Sequence, residues 1–434
     1  MAADPREILE SRPMSRFQWT VVAIMVGLNA LDGFDVLSIG FASPGIVKDW
    51  GIDRAALGIV LSMELIGMAL GSILLGGVAD RIGRRKTILG CLVVMATGMF
   101  LASTAHDVVS LSTWRVLTGL GIGGMLASIN AAVAEASNAA RRALCVVIMA
   151  AGYPVGAIVG GSISAILLKQ HDWPVVFQFG AIATLCFIPL VLWRAPESIA
   201  FQMARRGPRT LERVNSTLTR MGHPSVDALP EAGPPRARVP IAALFSPTLA
   251  RMTILLTLAY LAHIMTFYFI LKWIPKIVVD MGFAPSSAGF VLVWANVGGA
   301  VGSVLLGLLT AKVRVRTLTI AAMAVSAVMV TIFGRGQANL SELTLVAAAV
   351  GFFTNAGVVG IYALLAQSFP TEVRATATGF AIGVGRGGSA LAPAVAGFLF
   401  AGGYGLQTVA VLMAMGSVVG LFALLALGSK TAAG

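Results

Sequence analysis

Charge is scarce in this chain. Only 12% of its 434 residues are Asp, Glu, Lys or Arg, where a soluble domain carries roughly 25%. That shortage excludes an ordinary water-soluble globule. Cysteine is rarer still: Cys91, Cys145 and Cys186 show neither disulfide nor metal-ligand spacing. They read as small core residues, and no metal site or cofactor is expected. The phosphate-cradling G-x-x-x-x-G-K-[ST] loop is missing, as are a zinc motif and the G-x-S-x-G elbow. An ATP-driven pump and an intramembrane hydrolase are thereby excluded, and no enzyme is expected.

What is abundant is apolar. Hydrophobic residues make up 57%, and mean hydropathy is +0.87. Windows long enough to cross a bilayer recur along the chain. Twelve spans are predicted, with cores at 17–42, 55–79, 86–105, 109–135, 143–168, 174–193, 252–275, 284–310, 317–334, 342–367, 374–399 and 404–427. The first run is too long, and follows too polar a tail, to read as a cleaved signal peptide. The expected fold is an all-α polytopic membrane protein of twelve transmembrane helices in two pseudo-symmetric six-helix bundles. The bundles are expected at 1–193 and 249–434, joined by a polar linker at 194–248 with a short amphipathic helix near Thr210–Met221.

The formal net charge of +12 is a matter of topology, not of nucleic-acid binding. Of 31 Lys and Arg, 23 fall in intervals on one side of the predicted membrane. Six fall opposite (Lys48, Arg54, Lys169, Lys272, Lys276 and Arg335), and Arg115 and Arg386 lie within spans. The bias places both termini and the linker in the cytoplasm. A weak repeat agrees with the six-plus-six count. Residues 76–86 match 307–316 at an offset of 231, and Glu135, Arg142 and Gly156 fall on Gln367, Arg374 and Gly388 at 232. Such duplication marks many transporters, with substrate held between the halves.

Span 1 carries Asp32 and Asp35. A carboxylate in hydrocarbon costs roughly 2.5–3.5 kcal/mol or more, so buried acids tend to line substrate or proton paths. Three residues apart, the two share a helix face. Arg115 in span 4 needs a counter-charge, and Asp32, Asp35 and Glu64 stand at similar depth. Glu64 reads as a third proton site, a partner for Arg115 or a selectivity group. His263 stands at the repeat position of Asp32 and reads either as hydrogen-bonded structure or as a pH-tuned substrate contact. Tyr153, Phe267, Tyr268, Trp294 and Tyr362 could wall an aromatic ring, and Asn355 could read a ring hydroxyl; each is also ordinary packing.

Two local patterns resemble those of the major facilitator superfamily. Gly76-Gly-Val-Ala-Asp80-Arg81-Ile-Gly83-Arg84-Arg85 matches its G-x-x-x-D-R-x-G-R-R loop, which implies a charge latch between states. The second copy departs, with Ala311 and Lys312 at the Asp and Arg positions. Arg115-Val-Leu-Thr-Gly-Leu-Gly-Ile-Gly-Gly124 is similar to the superfamily's R-x-x-x-G-x-G-x-G-G element, whose arginine is linked to proton coupling. Within the superfamily the chain resembles the aromatic acid:H+ symporter family. The carrying residues are Leu31-Asp32-Gly33-Phe34-Asp35, Glu135, Ala195-Pro-Glu197-Ser198, Lys272-Trp273-Ile274-Pro275, Phe369-Pro370-Thr371-Glu372-Val373-Arg374 and Gly385-Arg386-Gly387-Gly388.

The resemblance implies a multi-pass protein of the bacterial inner membrane that imports a small aromatic carboxylate with protons and acts as a monomer. Asp32, Asp35, Glu64, Arg115 and Glu135 are then the proton-coupling candidates. Arg386 is the candidate for the substrate carboxylate, since a guanidinium can grip it with two hydrogen bonds; the other reading makes it a structural partner of a span 1 or span 2 acid. Gly76, Asp80, Arg81, Gly83, Arg84 and Arg374 are the gating candidates. Rival readings are a drug/H+ antiporter, a carrier of a non-aromatic acid or sugar, and a sensor on a transporter scaffold. Span 5 reads Gly152-Tyr-Pro-Val-Gly156 and lacks the Gly-Pro step common in drug antiporters.

Overall fold

A computed structural model describes residues 4–205, 207–230 and 240–428. Within those ranges the side chains at Gly76, Asp80, Ala143, Thr371, Glu372 and Ala375 are not described, so two of the gating candidates, Gly76 and Asp80, lie outside the described residues. The described chain is helical, with twelve helices long and apolar enough to cross a membrane: Arg16–Trp50, Arg54–Leu75, Arg84–Ser103, Val108–Ala136, Leu144–Leu167, Pro174–Arg194, Ala250–Asp280, Pro285–Leu309, Val315–Gly334, Leu340–Ser368, Thr376–Ala401 and Leu406–Ala426. These are spans 1 to 12.

Local chemistry sets several of the boundaries. Ser15 and Gln18 form a capping box at the start of span 1, and Gly51 ends that span in the left-handed region at φ 60°. Asp107 caps span 4 by accepting from the Ser110 amide at 2.8 Å. That bond holds its carboxyl below the usual aspartate value.

Span 7 runs five residues past its predicted core of 252–275. Lys276 falls in that extension and is buried, and Lys272, counted with the opposite loops although it stands inside the predicted core, is fully buried in the helix. The Ile-Pro-Lys-Ile-Val-Val run after Trp273 is apolar enough to continue the helix, with Pro275 accommodated inside it.

Six helices pack into each of two bundles, and the pairings repeat. Span 2 packs on 4 as 8 does on 10, 1 on 5 as 7 on 11, and 3 on 6 as 9 on 12. The repeat reaches single atoms. A Cβ on Gly67 would strike the Val116 carbonyl, and one on its counterpart Gly298 the Ala348 carbonyl. Gly119 meets the Glu64 carbonyl, and Gly351 that of Ala295. Small residues let membrane helices approach until backbones touch.

The bundles meet through spans 2 and 11, 5 and 8, and 1 and 7. The closest of these contacts cluster at the end far from the termini. Gly58 lies against Pro393 and Gly397, and Gly161 against Val293. Arg54 on span 2 pairs with Asp280 on span 7 at 3.0 Å, while within the second bundle Trp273 donates to the Pro393 carbonyl at 3.2 Å. Toward the termini the packing is more open: a Cβ on Gly307, Gly379, Gly383 or Gly387 would meet nothing within 4 Å.

The interval after span 6 is not bare linker. Helices Ile199–Ala204 and Thr210–Arg220 fold with the N-terminal helix Pro5–Ser11 around Leu9, Met203, Val214, Leu218 and Met221. Among the described residues the cap's polar contacts run to the first bundle. Arg142 pairs with Glu10 at 2.9 Å, and His223 stands 3.0 Å from the Gln18 side-chain oxygen.

Candidate functional site

Among the described residues, two charged groups lie inside the membrane-spanning helices. The first joins spans 1, 2, 4 and 7. Glu64 is fully buried between two cations, Arg115 and Lys272, which are also fully buried. One Glu64 oxygen pairs with Arg115, and the other lies 3.2 Å from the Lys272 ammonium. Arg115 also donates to the main-chain oxygen of Asp35 at 2.9 Å and stands 5.3 Å from the Phe177 ring centroid. Lys272 donates to the main-chain oxygen of Val36 as well. Asp35 thus neighbours Arg115 through its backbone. Both its carboxyl oxygens are buried without a hydrogen-bond partner, an arrangement that is costly in a low dielectric.

The second group surrounds Arg386. Its Nη1 donates to Ser72 Oγ at 2.7 Å and to the Met68 carbonyl at 3.2 Å. Both bonds use the same nitrogen, so the remaining edge of the guanidinium is available for a ligand. Arg386 is the cation that acts on Asp32, and it also acts on Tyr260, Tyr268 and Tyr362. Tyr260 and Tyr362 share a hydrogen bond of 2.9 Å with ring centroids 5.5 Å apart. Tyr268 packs edge-on to Phe267 at 5.3 Å. Tyr153 adjoins Asp32 and Tyr268, whose hydroxyl faces its own, and its hydroxyl is buried. A cation, a carboxylate and four phenols therefore converge from spans 1, 5, 7, 10 and 11.

Other candidates stand apart from this group. His263 is buried with both ring nitrogens engaged, by Ser417 at 2.9 Å and the Thr354 carbonyl at 2.8 Å. A carbonyl partner requires a proton on Nε2, so Nδ1 accepts from Ser417. That leaves no nitrogen for a ligand. Asn355 uses its amide nitrogen to tie spans 10 and 8, at 2.9 Å to Gly299 O and 2.8 Å to Ser303 Oγ. Trp294 lies on an exposed apolar face of span 8 and pairs with Phe290 at 6.1 Å.

At the termini end, three separate sequence elements meet. Arg84 pairs with Glu135 at 3.2 Å. Its backbone amide donates to Glu197 at 2.8 Å. Gly83 sits at φ 106°, and a Cβ there would collide with the Glu197 carboxylate, so glycine is required on both counts. Arg81 is exposed. Arg374, in the first turn of the helix Thr371–Ala401, donates to the Phe369 carbonyl just before it at 3.2 Å. Among the described residues no cluster of His, Cys, Asp or Glu could hold a metal ion.

Sequence reasoning did not single out Tyr260 or Ser72, and it assigned Lys272 to a loop. The signal for Tyr260 was present: it stands at the repeat position of Asn29, one turn from His263.

The Major Facilitator Superfamily model matches residues 25–284 and 256–433. A gallate transporter of Pseudomonas putida is 28% identical over 428 residues, covering 98% of this chain and 95% of that protein. The 4-hydroxybenzoate transporter PcaK of Pseudomonas putida is 29% identical over 394 residues, covering 89% and 87%. Among solved structures, the crystal structure of a D-xylose-proton symporter matches with a TM-score of 0.72 at 16% identity, covering 96% of this chain and 98% of that one. That last likeness concerns the fold alone.

Proposed function

The chain belongs to the major facilitator superfamily and is a membrane transporter, not an enzyme; from that premise we propose that it carries a small aromatic carboxylate into the cell together with protons. Arg386 carries the reading. Its open guanidinium edge faces a set of tyrosines, and a carboxylate on an aromatic ring needs both a bidentate cation and flat walls. The phenol hydroxyls suit a ring that itself bears hydroxyls, as gallate and 4-hydroxybenzoate do.

Asp32 and Asp35 are the proton carriers in this reading. Entry of an anion against a negative interior is opposed by about 2.3 kcal/mol per charge per 100 mV. A proton taken by Asp32, beside Arg386, frees the guanidinium for the substrate and cancels the charge moved. With the termini in the cytoplasm, as the basic bias suggests, the more open end faces inward and the closely packed end faces out. Arg84, Glu135 and Glu197 are already joined within the first bundle, and in this reading they are the fixed half of the inner latch, on which the second bundle closes when the cytoplasmic side shuts.

The test is uptake of radiolabelled aromatic acids into proteoliposomes with and without an inward proton gradient. Gradient-driven accumulation of a hydroxybenzoate or gallate, lost in Arg386→Lys, is the expected result. Accumulation of a non-aromatic diacid or a sugar in place of every aromatic acid would overturn the assignment.

A further inference from the structure

We propose that Lys272 is the outer gating residue of this transporter: its buried ion pair with Glu64 sets the balance between the inward-facing and outward-facing states. The inference rests on the alternating-access reading above but not on the identity of the substrate.

The argument starts from which bundle each group belongs to. Glu64 and Arg115 sit on spans 2 and 4 of the first bundle, while Lys272 sits on span 7 of the second. Lys272 reaches across to Glu64 Oε2 at 3.2 Å and to the Val36 carbonyl on span 1. Its ammonium is fully buried, as are both partners. Nearby, Gly40 against Leu271 and Lys272 and Gly58 against Pro393 are apolar or backbone contacts, and the other ion pair across this face, Arg54–Asp280, is partly exposed to water, where such a pair contributes little. The charged groups facing the pair are Arg115 on span 4 and, next out, Asp35 on span 1.

The pair is asymmetric. If the outer ends separate, Glu64 keeps Arg115, which moves with it. Lys272 loses both its carboxylate and its carbonyl. A buried charge without a partner is strongly disfavoured, so Lys272 has two stable situations: paired and dry with the face closed, or hydrated with the face open to water. Glu64 has one partner in either state. The energy that distinguishes the states therefore resides on Lys272, and an element with two discrete arrangements is what a gate requires.

Neutralising Lys272 removes the attraction and leaves the Glu64–Arg115 pair in place. The experiment uses the full chain with its three cysteines replaced and spin labels at Lys48→Cys and Ala284→Cys, both exposed and on opposite bundles. Pulsed electron resonance then reads the distance across the outer face. In Lys272→Gln the long-distance, outward-open population should rise by about tenfold or more, the direction set by loss of a buried partner. Lys272→Arg, which keeps the charge, should hold the parent distribution. A second readout avoids purification: Val293→Cys, buried against Gly161 where the bundles meet, should alkylate faster in intact membranes when Lys272 is Gln. A parent-like distance distribution and parent-like alkylation in Lys272→Gln would overturn the proposal, even if uptake were normal. A shifted distribution without aromatic-acid uptake would leave the gate standing and remove the substrate reading.

Discussion

The two bundles share a packing frame and differ in charge. Gly67 and Gly298, Gly119 and Gly351, and Gly156 and Gly388 each press on a backbone carbonyl of the paired helix at matching repeat positions. The first bundle sets Asp32, Asp35, Glu64 and Arg115 on that frame. The second sets His263, Thr266, Ala295 and Ala347 at the corresponding positions. In exchange, the second bundle supplies Lys272 and Arg386, where the first has Phe41 and Pro154. The buried acids therefore stand on one side of the interface, and the cations they lack stand on the other. Duplication supplied the scaffold, while the non-repeated residues hold the two halves together electrically.

The sharpest way to break this comparison is to give the first bundle the second bundle's residue. Glu64→Ala copies Ala295 and strands both Arg115 and Lys272. Removing one member of a buried ion pair typically costs about 3–5 kcal/mol. The thermal midpoint, followed by size-exclusion in detergent, should fall sharply, and Lys272→Gln added to Glu64→Ala should recover part of it. An unchanged midpoint in the single variant would mean that Glu64 is not the keystone of the group.

Asp32→Asn is milder for the fold, because the amide keeps the volume and removes only the titrating charge. Accumulation against a gradient should disappear. Exchange of labelled for unlabelled substrate across the membrane, which needs no net proton movement, should persist. Full gradient-driven accumulation in this variant would remove Asp32 from coupling. His263→Gln offers the contrast from the other half. With both its nitrogens committed to Ser417 and Thr354, it should lose about 1–3 kcal/mol of stability and keep its proton dependence.

The parts of the molecule legible from sequence are those encoded locally. Apolar run length gives twelve spans, and the Gly83-Arg84-Arg85 turn can be read from ten residues. The partnership of Arg84 with Glu135 and Glu197 joins three stretches far apart in the chain, so motif spacing names the members without the contacts. Lys272 escaped for a physical reason. A lysine near the end of an apolar run normally reaches water, and only a carboxylate from the opposite bundle keeps it buried. Tyr260 shows only its repeat position in the sequence, since the contact that defines its role is with Tyr362, 102 residues away.

A repeated contact should behave alike in both halves. Arg85 donates to the Leu192 carbonyl at the end of span 6, and Arg316, its repeat counterpart, donates to the Leu424 and Leu425 carbonyls at the end of span 12. Each closes a helix C-terminus with a cation. Arg85→Ala and Arg316→Ala should each cost about 1 kcal/mol in thermal stability. A large loss in Arg85→Ala alone would show that its neighbours in the latch, and not the helix end, set its worth.

The smallest expected effect concerns the cap, which has no counterpart on the second bundle among the described residues. His223 is buried beside the Gln18 side chain, and burial, reinforced by the Arg12 charge, lowers its pKa from the usual 6.5. The sign follows directly. Detached, the histidine titrates near 6.5; docked, it resists protonation. Docking is therefore fully supported above about pH 6.5 and weakens as pH falls below that value. Hydrogen exchange in 199–229 should quicken between pH 7.5 and 5.5 after correction for intrinsic rates, while exchange within spans 7 to 12 should not follow it. His223→Gln, which can still face Gln18 but carries no titrating group, should flatten the difference. If the wild-type cap shows the same protection at both values, the histidine does not govern its docking, and the Glu10–Arg142 pair and the apolar contacts around Leu9 suffice to hold the cap on the first bundle.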